Sequence, residues 1–595
     1  MGNDFHENDY YYLNNKNGTF RESGGDHFGH YSRFSMGNDA ADYNNDGQID
    51  IVTVDMLPPD EKTLKTYGSD ENADIFKFKL QTNGFQYQCS RNCLHRNNGD
   101  GQSYSDVALI SGVSATDWSW CPLFADFDND GIKDLFISSG IVKRPVDLDY
   151  IRFVSDLYNK KNYNRTDKYD DQALNEMPDG SSKPFLFKGD GKLGFKDVSA
   201  EWGTGDMKGY FNGAAYADFD KDGAVDIAIS QIGEKALILK NNTSNKNSIS
   251  LTFKGYNANR KGIGAKVWVY QGGQMQYQQL MQTRGFQSSS EERLHFGFPD
   301  NKPIDSMLVL WGDERMQLLK NVPINKPLTL WQRDVERGTI DYNKYFPKQQ
   351  PVFEKTISAT QWKHHENAFN DFNVQGLIPH EQSTRGPKIA VGDVNGDGLE
   401  DLFACGARGQ SGTLMLQSRS GSFAFADTAV FSVDKNAEDV DAKFFDANGD
   451  GALDLYVVSG GNELTGDHPA LLDRLYINDG KGKFSKQAGA LPLIYSNKSC
   501  VAIADVDKDG DSDLFVGTLT DAKAYGVPQT SYLLLNDGKG KFSIANQGVI
   551  ALQAIGMVSG ASFADFNKDG WPDLIVAGEW MPLTVFINHK GTFSK

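Results

Sequence analysis

Hydrophobic and polar positions alternate in short bursts along most of this chain. Apolar runs such as Leu135-Phe136-Ile137, Ile227-Ala228-Ile229, Leu455-Tyr456-Val457-Val458, Leu514-Phe515-Val516 and Leu574-Ile575-Val576 are rich in β-branched and aromatic residues. They predict short buried strands. Hairpin signals lie between them: Tyr11-Tyr12-Leu13 to Phe20, Leu94 to Tyr104, Leu475-Tyr476-Ile477 to Phe484, Leu533-Leu534-Leu535 to Phe542, and Val585-Phe586-Ile587 to Phe593. The connections carry Asn-Gly, Asp-Gly or Lys-Gly steps, the residues that tight turns need. Two insertions interrupt the pattern, near 57–90 and 141–183, and both are expected to hold helix. In the second, Tyr150, Val154, Leu157 and Tyr158 recur at helical spacing after Pro145.

Before each apolar run stands one acidic nonapeptide, D-x-[DN]-x-D-G-x-x-D, and it occurs seven times. Its positions 1, 3, 5, 7 and 9 are Asp42, Asn44, Asp46, Gln48, Asp50; Asp126, Asp128, Asp130, Ile132, Asp134; and Asp218, Asp220, Asp222, Ala224, Asp226. They continue as Asp393, Asn395, Asp397, Leu399, Asp401; Asp446, Asn448, Asp450, Ala452, Asp454; Asp505, Asp507, Asp509, Asp511, Asp513; and Asp565, Asn567, Asp569, Trp571, Asp573. Three or four carboxylates within nine residues repel unless a cation lies between them. Hard oxygen donors at alternating positions suit Ca²⁺, with position 7 donating its backbone carbonyl and position 9 closing the shell. Glycine at position 6 allows the reversal that turns the donors inward. Up to seven structural calcium ions are therefore expected. A single copy would read equally well as a polar surface turn; seven copies with every key position filled leave that reading little room. An EF-hand is excluded, because its bidentate Glu at position 12 is replaced by Thr53, Ile137, Ile229, Ala404, Val457, Val516 and Val576. The loops should join strands, and hairpin plus loop-linked pair makes four strands per unit. The expected fold is all-β, a β-propeller of repeated blades.

Composition fits this picture. The chain has 595 residues, 39% apolar and 23% charged, which is globular. Net charge is −19, and positions 1, 3, 5 and 9 of the seven loops hold 24 of the 79 acids, so they alone account for the sign. A phosphate-backbone binder would be basic, so nucleic acid is excluded as a partner. No uninterrupted apolar stretch is long enough for a transmembrane helix. Five cysteines, Cys89, Cys93, Cys121, Cys405 and Cys500, make no disulfide framework; Cys89 and Cys93 could pair or stay free.

The stretch from about 246 to 332 lacks the acidic motif but alternates like strand at Ile249, Leu251, Phe253, Val267 and Val269. Its segments NANRKGIGAKVWVY (257–270), TRGFQSSSEERLHFGF (283–298) and IDSMLVLWGDERMQLLKNV (304–322) resemble the ASPIC/UnbV domain. The acidic loops and hairpins resemble the FG-GAP/VCBS repeats that accompany it. The resemblance implies a calcium-stabilised propeller related to the integrin α-chain head, in a secreted or outer-membrane, cell-surface protein of Bacteroidetes type, commonly a lipoprotein. It names no ligand. The expected domains are 1–243 (three loops), 244–335 (ASPIC/UnbV-like) and 336–595 (four loops). A single seven-bladed ring with an inserted domain and two partial propellers flanking that domain both remain open. The chain starts and stops inside hairpins, so a fragment of a larger polypeptide is expected, with a lipid anchor in a missing N-terminal part.

No catalytic residue is assigned. His364, His365, Glu366 and His380 form the densest titratable cluster outside the loops, but H-E-x-x-H spacing is missing. Gly262-Ile263-Gly264 lacks the third glycine of a dinucleotide fingerprint and is read as a hairpin turn. Ser288-Ser289-Ser290 near His295 is not a nucleophile elbow. Trp118, Trp120 and Trp580 are candidates for a sugar-stacking platform, or for core. The favoured function is a non-enzymatic binding module for a protein or glycan on a propeller face. The alternatives are a polysaccharide lyase or hydrolase on the same scaffold and an accessory subunit of outer-membrane nutrient uptake.

Overall fold

A computed structural model describes residues 1–595 except 5–6, 69–72, 161–170, 257, 337–338, 347–359, 361, 427–428 and 547. The chain forms two compact units, Met1–Val352 and Phe353–Lys595. The protein is all-β apart from short helices, which lie mainly in the two expected insertions: Glu61–Thr66, Ala73–Gln81, Leu148–Lys160 and Asp171–Glu176.

The first unit holds three antiparallel repeat sheets with strands in sequence order. Repeat 1 comprises Asn38–Ala41, Asp50–Thr53, Cys93–Asn97 and Tyr104–Asp106; repeat 2 comprises Ser119–Ala125, Asp134–Ser139, Phe185–Gly189 and Phe195–Asp197. Repeat 3 has three strands, Phe211–Ala217, Asp226–Gln231 and Leu237–Leu239, before the chain enters the β domain. The second unit holds four four-stranded repeats, numbered 4 to 7 in chain order, whose first two strands are Ile389–Gly392 and Asp401–Ala404, Asp439–Phe445 and Asp454–Ser459, Asn497–Ala504 and Asp513–Thr520, and Met557–Ala564 and Asp573–Glu579. Every acidic loop joins the first strand of its repeat to the second.

Within each unit the sheets stack face to face in a propeller-like manner. Alternate residues of one strand serve different cores because the pleat points them to opposite faces. Leu135 and Ile137 pack with Val52 and Leu94 of repeat 1, whereas Phe136 packs with Phe211 and Ile227 of repeat 3. Tyr456 and Val458 likewise face Val501 and Leu514 of repeat 6, while Leu455 and Val457 face Phe403 of repeat 4. Burial on both faces explains why these strands read as continuous apolar runs.

The β domain is built from two sheets. Ser248–Lys254 pairs antiparallel with Leu294–Gly297 and parallel with Leu328–Trp331, and a four-stranded sheet runs in the order Gln274–Gln279, Lys266–Gln271, Ile304–Leu310, Met316–Val322. Ile249, Leu251, Phe253, Val267, Val269, Phe296, Met307, Val309 and Trp311 fill the space between them. A small hairpin from this domain, Thr283–Arg284 with Ser288–Ser289, reaches the first strands of the three repeats. Buried Arg284 donates from Nε and Nη2 to Asp39 of repeat 1 at 2.8 and 3.1 Å, and from Nη1 to the Tyr216 hydroxyl of repeat 3 at 2.6 Å. Asp39 in turn accepts the Phe124 N–H of repeat 2 at 2.8 Å. One guanidinium therefore ties all three repeats. Gly285, at φ 68°, is required beside it, since a Cβ there would lie 2.1 Å from the Cys121 sulfur.

Candidate metal centres

The seven acidic loops share one hydrogen-bond scheme, set by backbone N–H groups that have no strand partner. The position 1 carboxylate accepts from the N–H of position 6, as in Gly47 to Asp42 at 2.9 Å, Gly131 to Asp126 at 2.9 Å and Gly570 to Asp565 at 2.9 Å. The position 3 side chain accepts the N–H of position 5, and position 5 accepts that of position 7, as in Ile132 to Asp130 at 2.9 Å and Trp571 to Asp569 at 2.8 Å. These nested side-chain turns curl each loop around its own oxygens. Position 6 has φ between 84° and 100° in every loop, the left-handed region that makes glycine necessary.

Position 9 does more than the sequence suggested. One of its oxygens accepts the N–H of position 2 and the other the N–H of a residue at the end of the third strand or just past it. The acceptor–donor pairs are Asp50 with Asn97, Asp134 with Gly189, Asp226 with Asn241, Asp401 with Gln417, Asp454 with Asn478, Asp513 with Asn536 and Asp573 with Asn588, at 2.7–3.1 Å. Position 9 thus staples the loop to the sheet. The asparagines add a function that sequence reasoning missed. Asn241, Asn478, Asn536 and Asn588 each donate their side-chain amide to the position 2 carbonyl of the preceding repeat's loop: Phe127, Val394, Ala447 and Val506, at 2.6–2.9 Å. The loops of repeats 2, 4, 5 and 6 are thereby locked to the repeat that follows each. The signal was visible as the Asn that precedes Asp-Gly in Asn478-Asp479-Gly480 and Asn536-Asp537-Gly538.

The donor sets fit a divalent cation. Carboxylate oxygens of Asp126, Asp128 and Asp134 lie within 4.8 Å of one another, as do those of Asp218, Asp220 and Asp226, and of Asp505, Asp507 and Asp509. Asp505 Oδ1 and Asp511 Oδ1 are buried without a hydrogen-bond partner. Among the described residues no position 7 carbonyl accepts a hydrogen bond, so these oxygens are available. Burial pushes the Asp42 and Asp126 carboxyls up to about 7 and Asp50 up to about 8, the mark of buried anions in need of positive charge. Lysines supply some of it: Lys188 donates to Asp128 and Asp130, Lys240 to Asp220 and Lys246 to Asp222. A cation and these ammonium groups compete for the same oxygens.

The other candidate groups are dispersed. Trp118 is buried beside Phe34 and Met56, and Trp120 packs on Phe286 at 4.9 Å, so both are core. Trp580 is 76% exposed. His364 pairs with Glu366 at 2.7 Å, and Ser288 Oγ donates to the Phe286 carbonyl. All five cysteines are free. The segment 363–388, which holds the histidine cluster, crosses the strand ends remote from the acidic loops of the second unit. His365 N–H donates to Gln410 of repeat 4, Asn367 to Glu463 and Asn462 to Asp371 in repeat 5, Gln375 to the Ala522 carbonyl of repeat 6, and Arg385 to Glu579 of repeat 7.

Comparison with known families defines the class. FG-GAP-like repeats match residues 2–53, 70–137, 393–457, 446–516 and 524–576. The ASPIC and UnbV family matches residues 255–337. The chain is an FG-GAP-repeat protein that carries an ASPIC/UnbV domain. Comparison with curated proteins finds no match. Among solved structures, a GH43 beta-1,3-galactosidase with galactodeoxynojirimycin is similar at 12% identity over 34% of this chain and 73% of that one, with TM-score 0.22. Trypanosoma rangeli sialidase in complex with sialic acid is similar at 10% identity over 99% and 56%, with TM-score 0.19. Scores this low carry no functional argument.

Proposed function

We propose that this protein is a non-enzymatic, calcium-ordered binding module of the cell surface or extracellular space, its repeats forming propeller blades that present a protein or glycan ligand site. The observation that carries the reading is the shared geometry of the seven loops, in which curled carboxylates, unpaired position 7 carbonyls and orphaned Asp505 and Asp511 oxygens converge. Each ion would be held by the side chains at positions 1, 3 and 5, the position 7 carbonyl and the position 9 carboxylate. Bound calcium supplies charge neutralisation and rigid coordination. The chain's own residues then fix strand pairs through the position 9 staple and fix neighbouring repeats through the asparagine clamp. Location outside the cytosol rests on the FG-GAP-repeat class.

The test is thermal melting with and without a chelator. EDTA should lower the Tm sharply and added calcium should restore it; an unchanged curve contradicts the proposal. A second reading, a polysaccharide lyase, draws on Tyr525, His380, Arg385 and Glu579, which the fold brings together. Tyr525 donates to Glu579 at 2.5 Å, and burial pushes its pKa up to about 12, so at neutral pH it stays protonated and is a poor base. Release of unsaturated uronate, followed by ultraviolet absorbance, would favour that reading instead.

A further inference from the structure

The strand ends remote from the acidic loops carry an aromatic and cationic constellation that the calcium scheme does not use. Trp580 follows the second strand of repeat 7 and is 76% exposed, yet its backbone sits at φ 54°. A bulky residue in the left-handed region is an outlier held by its surroundings. One side of the indole lies over Gly526, where an added Cβ would come within 2.7 Å of the ring. Tyr525 meets it edge-on, with centroids 5.3 Å apart and planes at 79°. The Tyr525 hydroxyl is fixed by Glu579, the residue next to Trp580. Backbone strain, a glycine cradle and a locked tyrosine thus hold an indole whose outer surface faces water.

The rim beside it is cationic. Arg385 donates to Glu579 and to Gln382 Oε1, from Nε at 2.9 Å and from Nη2 at 2.7 Å. Its Nη1 makes no hydrogen bond among the described residues and is not buried. His380, with a 53% exposed side chain, lies 3.3 Å from Glu579 and 3.0 Å from Arg385 Nη2. Because a guanidinium only donates, His380 Nε2 accepts from Arg385, which leaves the imidazole Nδ1 to donate outward, while Arg385 carries the positive charge and Glu579 also accepts from Tyr525. The set is assembled from three distant stretches, 380–385, 525–526 and 579–580, by the 363–388 segment.

We infer that this constellation is a binding site for an anionic pyranose within a glycan. The apolar face of a sugar ring would cover the indole, and its carboxylate or sulfate would meet Arg385 Nη1 and the His380 ring. Aromatic stacking alone would accept any pyranose; the guanidinium and imidazole give the preference for negative charge. This rests on the proposed role as a binding module and names the ligand class of that role.

The test uses the full chain in calcium, with titration calorimetry against oligogalacturonate, its methyl ester, sulfated galactan and neutral galactan. Binding to oligogalacturonate or to sulfated galactan is expected, and which one binds tells carboxylate from sulfate. The methyl ester and neutral galactan should bind at least tenfold more weakly. Trp580→Ala should abolish measurable binding, and His380→Gln should weaken it several-fold, both without change in melting temperature. Arg385→Lys, which keeps the charge but loses the fork, tests the guanidinium apart from the fold. Equal binding of charged and neutral ligands, undiminished binding by Trp580→Ala, or no binding to any of the four overturns the inference. The calcium dependence of melting is measured on the same samples, so a failed sugar site with intact calcium dependence leaves the proposed module standing.

Discussion

The same nonapeptide sits in two environments. In the first unit the position 1 and position 9 carboxylates of the loops at Asp42 and Asp126 are buried, and the second loop lies under the ASPIC/UnbV domain. His295 Nε2 is 3.0 Å from Asn129 Oδ1, Asn129 and Asn245 each donate the side-chain amide to the other's backbone carbonyl, and a Cβ on Gly297 would stand 2.3 Å from Asp126. Burial there drives the carboxyls toward neutrality. In the second unit position 9 is equally buried, but the position 1 carboxylates are half-buried or exposed. Asp393 is held below the usual carboxylate range by the Gly398 N–H, and Asp565 is exposed. The motif is therefore not one device with one strength. Under the domain a bound cation would neutralise charge that has left water; at the more exposed loops it would mainly order a turn that the Asx hydrogen bonds already form.

The largest expected effect is at the point where the domain grips the repeats. Arg284→Ala leaves Asp39 buried and unpaired, at a cost of about 3–5 kcal/mol, and should be read by calorimetry as loss of cooperative melting in the first unit. Restoring much of that loss with Asp39→Asn added would show that the orphaned charge is the cause. Next, Asp126→Ala should cost about 3 kcal/mol, through lost burial contacts and two unpaired N–H groups, whereas Asp565→Ala should cost about 1 kcal/mol. Equal losses at the two positions would erase the distinction between covered and open loops.

The pH dependence offers a smaller contrast. His95 of repeat 1 is buried against Phe28, and burial lowers its pKa to about 4, with Asp106 opposing and His30 adding to the shift. Keeping it neutral is free above about pH 6.5, and the stability is lost as pH falls from there toward 4. At pH 5 the loss is roughly 2 kcal/mol. His95→Gln should flatten that acid limb in calcium-loaded protein, and an unchanged limb would remove His95 from the account. The smallest effect is at the loop-to-loop lock: Asn478→Ala leaves the Val394 and Leu453 carbonyls without their donor and should cost about 1 kcal/mol. Hydrogen exchange should quicken in the loops of repeats 4 and 5 and not in repeat 7.

The parts that could be read from sequence were those whose chemistry is local. The loop donors, the glycine at position 6 and the flanking strands lie within about twelve residues of each other, and the insertion near 141–183 showed its helix by spacing. Contacts that bridge long separations could not be read. Arg284 stood in view within TRGFQSSS, but its partner Asp39 is 245 residues away. Arg385 and Glu579 are separated by 194 residues, Asn367 and Glu463 by 96. Tryptophan shows the same limit. Trp118 and Trp120 went to the core and Trp580 to the surface, and no local pattern separates an indole that fills a sheet interface from one that caps a strand end. The asparagine clamp was seen only as a turn residue, because its second partner belongs to the preceding repeat.

The central claim is that the acidic loops are metal sites. The most direct measurement is calcium content at equilibrium: dialysis of the purified chain against buffered calcium, followed by elemental analysis. The account expects several ions per chain, approaching seven at saturation, with loss of one ion in Asp218→Ala and the others retained. A chain that carries no calcium after such dialysis would contradict it.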